Sequence, residues 1–207
     1  MNRREFLTAA AAALSVAGVS GTAGAAPAKP MNILVITGSP RRNGNTAALA
    51  DSFIRGAEEA GHRTVRFDAG LSDVHPCSAC NSCGMDGPCV HDDDFAFVRE
   101  HIISADLVAL VTPVYYYNVS TQIKAVIDRF YAINGQLHVR KKAVFMAALA
   151  NMSDARVAPL SAWYDAFLDY MGWQDCGRII APGVWTEGSI RNTRYIGDAY
   201  TLGRQLS

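Results

Sequence analysis

Four of the five cysteines lie close together in one segment and form the strongest candidate metal site in this sequence. They are Cys77, Cys80, Cys83 and Cys89, with the spacing C-x2-C-x2-C-x5-C. Such short gaps let a backbone curl around one 4Fe–4S cluster while its amides point at the sulfurs. Four thiolates could also hold a structural zinc ion, although zinc sites more often use two separated C-x2-C pairs. Disulfides or free thiols remain as a third interpretation, because an oxidising compartment would pair the cysteines.

The polar residues around this segment do not indicate a second centre of chemistry. His75 and His91 flank the cysteines and could tune or replace a ligand, but surface positions explain them more simply. The three aspartates at 92–94 are interpreted as the start of a helix, where negative charge is favourable. Cys176 stands apart and is interpreted as a small core residue. The sequence has no Ser-His-Asp set and no strand-end pair of carboxylates, so we expect no dedicated acid–base residue.

A second segment suited to chemistry is residues 31–50, where a loop joins a buried strand to a helix. The apolar run 32–37 leads into a Gly-Ser-Pro turn, and Asn45 opens the helix. Small residues let backbone N–H groups point inward, hydroxyls add further donors, and the helix dipole favours negative charge. The loop therefore predicts a phosphate site, with an ordinary strand–helix turn as the alternative. It has neither the dinucleotide G-x-G-x-x-G pattern nor a Walker A pattern.

The elements that must position these loops alternate between strands and helices. Strands are predicted at residues 32–37, 63–67, 106–112, 143–150 and 178–182, and the last two helices at 155–171 and 197–206. This alternation predicts an α/β fold, a parallel sheet covered by helices on both faces. A phosphate loop after the first of five strands indicates the flavodoxin-like order 2-1-3-4-5. In that order a ligand lies beyond the carboxyl ends of strands one and three, which loops 38–46 and 113–119 follow.

Length, composition and charge narrow the function further. The chain has 207 residues, half of them apolar, which predicts one domain with a well-buried core. Its 19 basic residues equal its 19 acidic residues, and no basic stripe is present. The overall field therefore attracts neither nucleic acid nor an anionic membrane, and we expect no nucleic-acid partner. No later apolar run is long enough for a stable membrane span.

The first 28 residues are expected to lie outside this domain, which we assign to residues 31–207. Arg3 and Arg4 precede an Ala-rich apolar run, and small residues then offer A-x-A cleavage sites. The pattern looks like a twin-arginine export signal, which predicts a periplasmic or otherwise exported protein. An uncleaved amphipathic helix is the alternative.

Three separate segments together resemble a known family. They are GSPRRNGNT at 38–46, TPVYYYNVS at 112–120 and QIKAVIDR at 122–129. In kind, order and spacing they resemble the NADPH-dependent FMN reductase family of flavodoxin-like proteins. The four cysteines between them narrow the resemblance to the iron–sulfur flavoproteins, in which all four hold one cluster. The resemblance covers about residues 31–190.

This resemblance implies FMN, with its phosphate on the first loop and its isoalloxazine ring against the second. The loop around residues 148–151 should form a third wall, and Arg42 is a possible ion-pair partner. Aromatic side chains can stack on the ring, and we expect at least one of the three tyrosines to do so. The matching positions are Ser39, Arg41, Asn43, Gly44, Asn45 and Thr46 for the phosphate, and Pro113, Val114, Tyr115, Tyr116, Asn118 and Val119 for the ring.

The resemblance further implies an FMN-dependent oxidoreductase that takes electrons from NAD(P)H, with the chemistry carried by the flavin. It also implies a homo-oligomer, a dimer or larger, and a small-molecule or protein redox partner. Two other functions stay open at this point. The chain could be an FMN electron carrier without reductase activity, or a thiol or metal redox module that has lost FMN.

Overall fold

The computed structural model describes residues 29–151 and 157–207. The predicted export signal therefore lies outside the described residues, as does the predicted start of one helix at residue 155. The strands are Asn32–Thr37 (β1), Arg63–Asp68 (β2), Leu107–Tyr115 (β3), Asn118–Val119 (β4), Lys142–Ala148 (β5) and Gln174–Ala181 (β6). The helices are Asn45–Glu59 (α1), Phe95–Ser104 (α2), Thr121–Arg129 (α3), Asn134–Leu137 (α4), Ala158–Met171 (α5) and Tyr195–Arg204 (α6).

The central sheet confirms the predicted flavodoxin-like fold. Its order is β2-β1-β3-β5-β6, with every one of these pairs parallel. This is the predicted order 2-1-3-4-5 once the two-residue β4, which pairs antiparallel with the end of β3, is left out of the count. Strand order reverses between β1 and β3, so their carboxyl ends open the crevice at which such folds bind ligands.

Side chains of the central strands alternate between two cores, one on each face of the sheet. In β1, Leu34 and Ile36 pack with α2, α3 and α5, whereas Ile33 and Val35 pack with α1 and α6. Successive side chains of a strand point to opposite faces, and both faces here are covered. This explains why the central strands read as continuous apolar runs.

Strand β3 extends two residues beyond Pro113, where we predicted that it would end. The carbonyl of Val111 accepts the N–H of Gly38, at 2.8 Å, from the β1 side. Residues two apart in a strand face the same neighbour, so Pro113 also faces the β1 side, beyond the end of β1 at Thr37. Its missing N–H therefore leaves no partner unsatisfied, and the strand continues.

The tyrosine segment, which was predicted as a loop, forms a tight hairpin. Tyr115 pairs with Asn118, which leaves Tyr116 and Tyr117 as a two-residue turn. Both have positive φ, 47° and 65°. This is the backbone of a turn that usually carries Asn-Gly, so the sequence offered no signal for it. The turn directs Tyr116 fully into solvent.

The remaining differences lie at the ends of elements. The predicted strand at 143–150 ends at Ala148, the one at 63–67 extends to Asp68, and the one at 178–182 begins at Gln174. The first half of β6 is polar and has no apolar pattern that would predict a strand. It joins the sheet because Gln174 pairs with Lys142. Helix α6 begins and ends two residues before the predicted 197–206, whereas α2 begins at Phe95, directly after the three aspartates, as predicted.

Helices α1 and α6 approach each other through two glycines. A Cβ on Gly203 would lie 2.2 Å from the carbonyl oxygen of Phe53, and one on Gly56 would lie 2.1 Å from that of Tyr200. We expect Gly203→Ala to lower the free energy of unfolding by about 3 kcal/mol, because backbone atoms cannot yield to the added methyl group. Urea unfolding followed by circular dichroism measures this change.

Gly197 on the same helix provides the matched control. A Cβ there meets no atom within 4 Å. Gly197→Ala should therefore raise the free energy of unfolding by about 0.5 kcal/mol, through helix propensity alone. Equal effects of the two substitutions would contradict a packing role for Gly203.

No helix within residues 29–151 or 157–207 combines the length and the apolar character needed to cross a bilayer.

Candidate functional site

A cavity of about 370 Å³ lies at the carboxyl ends of β1, β3, β5 and β6, and is called the main cavity below. It lies within the range of roughly 300–1,000 Å³ that is typical of small-molecule sites. The residues that line it are Ser39, Arg41, Gly44, Asn45, Thr46, Pro113, Val114, Tyr115, Ala148, Leu149, Ala150, Val184 and Trp185.

One end of the main cavity is the amino terminus of α1. The N–H groups in the first turn of a helix have no intrahelical partner. Gly44, which precedes α1, has no side chain that could cap them. Ser39 and Thr46 are buried beside them, and the Ser39 hydroxyl accepts the N–H of Arg41 at 3.1 Å. Free amides, hydroxyls and the positive end of a helix dipole together suit an anion.

The first loop is held tightly by its neighbours. A Cβ on Gly70 would lie 2.2 Å from the carbonyl carbon of Ser39, so only glycine fits there. The Ser120 hydroxyl, which caps α3, donates to the carbonyl of Gly38 at 2.8 Å. The Ser120 N–H in turn donates to Thr112 Oγ1 at 3.0 Å. These bonds join the loop after β1 to the two ends of the tyrosine hairpin.

The other end of the main cavity is apolar and aromatic. Pro113, Val114 and Tyr115 form one wall, and residues 148–150, which are part of the predicted wall around 148–151, form another. Trp185, which is 79% exposed, stands at the margin. A planar apolar group can pack between such walls while its polar edge meets backbone amides.

Sequence reasoning missed Val184 and Trp185, and Asn45 explains how they reach the site. The Asn45 side chain donates to the carbonyls of Val184 (3.2 Å) and Thr186 (3.0 Å) and accepts the N–H of Ile190 (3.2 Å). The amide of Asn45 therefore joins the loop after β6 to the first loop. The available signal was positional, because the loop after the fifth parallel strand must open at the same edge of the sheet.

Eight of the twelve predicted flavin-contacting residues line the main cavity together, and four do not. Asn43 is exposed in the first loop, and Tyr116 projects from the tip of the hairpin. The Asn118 side chain accepts the N–H of Val119 at 2.8 Å, and Val119 is buried in the core. Roles for these four in binding remain predictions that the geometry of this cavity does not require.

A second, small cavity of about 20 Å³ is bordered by all four clustered cysteines, together with Arg129 and Tyr131, and is called the cysteine cavity below. Among the described residues, no three histidine, cysteine or acidic side chains are grouped as closely as a bound metal ion would require. Hydrogen bonds, chiefly from the Ser82 side chain, lower the pKa of the exposed Cys80 thiol. A lower pKa favours the thiolate, the form that binds metals.

The backbone around these cysteines is curled, and it packs against the turn that follows α3 and against α4. Ala79, Asn81 and Met85 all have positive φ. The Tyr131 hydroxyl donates to Asn81 Oδ1 at 2.8 Å, and Gln136 Nε2 donates to Asp86 Oδ1 at 2.8 Å. Residues 77–89, called the cysteine segment below, thus have a defined path across the surface even though their side chains are largely exposed.

A buried ion pair holds the two ends of this segment. The Arg129 guanidinium pairs with both carboxylate oxygens of Asp93, at 2.8 and 3.2 Å. It also donates to the carbonyls of His75 (2.9 Å) and His91 (3.4 Å), and it lies over the ring of Phe95. Arg129 is 1% exposed, so this is an enclosed charge pair and not a surface salt bridge.

The environment of Asp93 favours its charged form. Burial alone would raise the pKa of this carboxyl, but hydrogen bonds from Arg129 and from the N–H groups of His75 and Phe95 outweigh it and hold the pKa below its usual range. Our interpretation of the three aspartates as a simple helix start missed this pair. The signal was the position of Arg129, which falls on the apolar stripe of α3 with Ile123 and Val126.

Comparisons with known proteins identify a family and several relatives. Residues 31–180 match the family model described as NADPH-dependent FMN reductase. An iron–sulfur flavoprotein of Archaeoglobus fulgidus is 33% identical over 99 residues, which are 48% of this chain and 45% of that protein. One from Methanosarcina thermophila is 35% identical over 99 residues, 48% of this chain and 52% of that protein. The chain thus spans about half the length of these curated relatives.

Among solved structures, an NAD(P)H:quinone oxidoreductase from Methanothermobacter marburgensis superimposes with a TM-score of 0.71. The superposition covers 86% of this chain and 97% of that one, at 18% identity. At this identity the likeness shows a shared fold.

Proposed function

This chain belongs to the NADPH-dependent FMN reductase family, and we propose that it is a flavin-dependent oxidoreductase that binds FMN in the main cavity and takes electrons from NAD(P)H. The observation that carries this proposal is the difference between the two ends of the main cavity, one polar and one apolar. It begins at an uncapped helix terminus beside Arg41 and ends between Tyr115 and Leu149. A phosphate suits the first end and a flat aromatic ring suits the second.

The residues present fit FMN in kind and in place. The uncapped first turn of α1, with the buried hydroxyls of Ser39 and Thr46, would hold the phosphate. Pro113, Val114 and Tyr115 would lie along the ring, and Trp185 would limit its contact with water. Bound flavin supplies the hydride and electron chemistry, while the protein orients it and sets its electronics. No side chain of the main cavity is required as a general acid or base.

Arg41 and Arg42 allow a direct test of phosphate recognition. Arg41 borders both the main cavity and a neighbouring polar cavity that contains Arg66 and Asp68, whereas Arg42 borders the polar cavity but not the main cavity. Arg41→Met should raise the Kd for FMN about tenfold, the loss expected for one charge-assisted contact, and Arg42→Met should change it by less than about twofold. Titration of FMN-depleted protein, followed by quenching of flavin fluorescence, measures both constants.

Riboflavin, which lacks the phosphate, provides the ligand control. Its affinity should be the same in the unaltered chain and in the Arg41→Met variant. If both arginine variants lose FMN equally, or if Arg41→Met weakens riboflavin as much as FMN, the phosphate does not bind where we place it.

We further propose that the four cysteines hold a 4Fe–4S cluster. The residues fit this group because all four thiols border one cavity and the curled backbone between them matches the wrapping that a cluster needs. The side chains would close on the metal as it binds, since metal ligation and local ordering are coupled. Such a cluster would supply one-electron chemistry, accepting or donating single electrons.

The electron donor is testable in the same preparation. NADPH or NADH, mixed anaerobically with the flavin-loaded protein, should bleach the flavin absorption. If dithionite bleaches the flavin but neither nucleotide does, the chain is an electron carrier and not a reductase.

Export and assembly complete the proposal. The paired arginines at 3 and 4 support twin-arginine export to the periplasm, and sequencing of the mature amino terminus tests this. The exposed aromatic residues Tyr116 and Trp185 near the main cavity support association with a second copy or a redox partner. Sedimentation analysis of the flavin-loaded protein tests self-association.

A further inference from the structure

Arg129 connects both ends of the cysteine segment through one side chain. Its guanidinium donates to the carbonyl of His75, two residues before Cys77, and to that of His91, two residues after Cys89. Asp93, its carboxylate partner, accepts the N–H of His75 at 2.9 Å. The segment is thus closed into a loop at a buried point beneath the cysteines.

The hydrogen bonds of Arg129 use all but one of its N–H groups. An arginine has five N–H groups. The two on Nη1 are directed to His75 and Asp93, and the two on Nη2 to His91 and Asp93. The fifth, on Nε, is buried and has no partner among the described residues. A buried donor without a partner is unusual and calls for an acceptor.

The cysteine cavity is where that acceptor would lie. Arg129 borders it together with the four cysteines. A cluster held by four thiolates carries net negative charge, and its sulfurs accept hydrogen bonds that tune its reduction potential. A buried positive charge with a spare N–H, on a residue that borders this cavity, is suited to such a group.

We propose that Arg129 is a positioning residue for the iron–sulfur cluster, closing the cysteine segment at both ends and supplying its fifth N–H to a sulfur of the bound cluster. This inference rests on the proposed function, because it requires that a cluster is bound. It assigns to Arg129 two separable effects. The hydrogen bonds from the guanidinium to two carbonyls and one carboxylate hold the cysteine ligands in place. The positive charge of the guanidinium, with its free N–H, favours the reduced, more negative cluster.

Two variants separate these effects. Arg129→Lys keeps the charge but cannot reach two carbonyls and both carboxylate oxygens at once, because an ammonium is a single point donor. It should release iron to a chelator at least about tenfold faster than the unaltered chain does. The potential of its cluster should change less than that of Arg129→Met. Arg129→Met removes the charge as well. It should shift the cluster to more negative potential by about one decade in the reduced-to-oxidised ratio, about 59 mV for one electron.

Lys124 on the same helix gives the matched control. It is half exposed, and it pairs with Asp128 on the surface. Lys124→Met removes one charge from α3 away from the cysteine cavity, and it should leave both the release rate and the potential unchanged. FMN content and circular dichroism, measured on every preparation, show that the domain is folded. If Arg129→Met does not fold, the release rate of Arg129→Lys decides.

The outcomes distinguish this inference from the proposed function. If the unaltered chain holds a full complement of iron but the Arg129 variants match it in release rate and potential, Arg129 has no role toward the cluster and the inference is wrong. If the unaltered chain holds no iron after anaerobic preparation, the cluster proposal itself fails and the inference fails with it. Faster release in Arg129→Lys but not in Lys124→Met supports the inference.

Discussion

Replacing Cys83 with alanine is expected to lower the iron content of the anaerobically purified protein from about four atoms per chain to below about one. All four clustered cysteines border one cavity, so each would contribute one ligand to one cluster. Without one thiolate, an iron is left open to solvent in a segment that is largely exposed, and the cluster should disassemble. Iron and acid-labile sulfide assays, with the broad brown absorption beneath the flavin bands, measure this loss.

Cys176 is the matched control for this substitution. It is a half-buried residue of β6, it does not border the cysteine cavity, and burial raises the pKa of its thiol. A thiol of that kind is a poor ligand, so Cys176→Ala should retain all the iron and sulfide. Both variants should retain FMN, because neither cysteine borders the main cavity.

The same assay separates the other interpretations of the cysteines. About one zinc per chain without sulfide would indicate a structural zinc site. Absence of both metals together with loss of reactive thiols would indicate disulfides, as export to an oxidising compartment favours. Either result would leave a flavin reductase whose cysteine segment has a different role, and would contradict the cluster proposal.

Replacing Asp93 with alanine should lower the free energy of unfolding by about 3–5 kcal/mol. The substitution leaves the guanidinium of Arg129 buried without a counter-charge, and it also removes the acceptor for the N–H groups of His75 and Phe95. Urea unfolding of preparations with equal iron content measures the change, since bound metal would itself stabilise the folded state. Asp92, an exposed neighbour, is the control, and Asp92→Ala should change the stability by less than about 0.5 kcal/mol.

The contribution of Asp93 should also depend on pH, in a direction set by its lowered pKa. A carboxyl whose pKa is lower in the folded state binds fewer protons there, so its contribution is complete above the unfolded value of about 3.9. It is lost as the pH falls toward the folded pKa. The difference in stability between the unaltered chain and Asp93→Ala should therefore be constant above about pH 5 and shrink below about pH 4. A difference that is unchanged in acid would show that Asp93 acts through packing alone.

Local patterns were sufficient to predict the fold and eight of the residues that line the main cavity. Continuous apolar runs such as that of β1 arise because a strand covered on both faces needs apolar side chains on both, and alternation with helices then requires a parallel sheet. The small residues from Gly38 to Thr46 indicated an anion site because the free N–H groups of a helix terminus are a local property of the backbone. The strand order followed from that loop, and it placed Tyr115 and residues 148–150 at the same edge.

Tertiary structure alone decided which distant groups complete the two cavities. Asn45 reaches the carbonyl of Val184 and thereby brings Trp185 to the main cavity, and Arg129 pairs with Asp93 to close the cysteine segment. The hairpin turn at Tyr116 and Tyr117 likewise depends on the pairing of its flanking strands, because its residues do not favour positive φ. The contacts of Asn45 and Arg129 join residues far apart in the sequence, so no local period or propensity encodes them, and they appear only when the packed sheet brings the loops together.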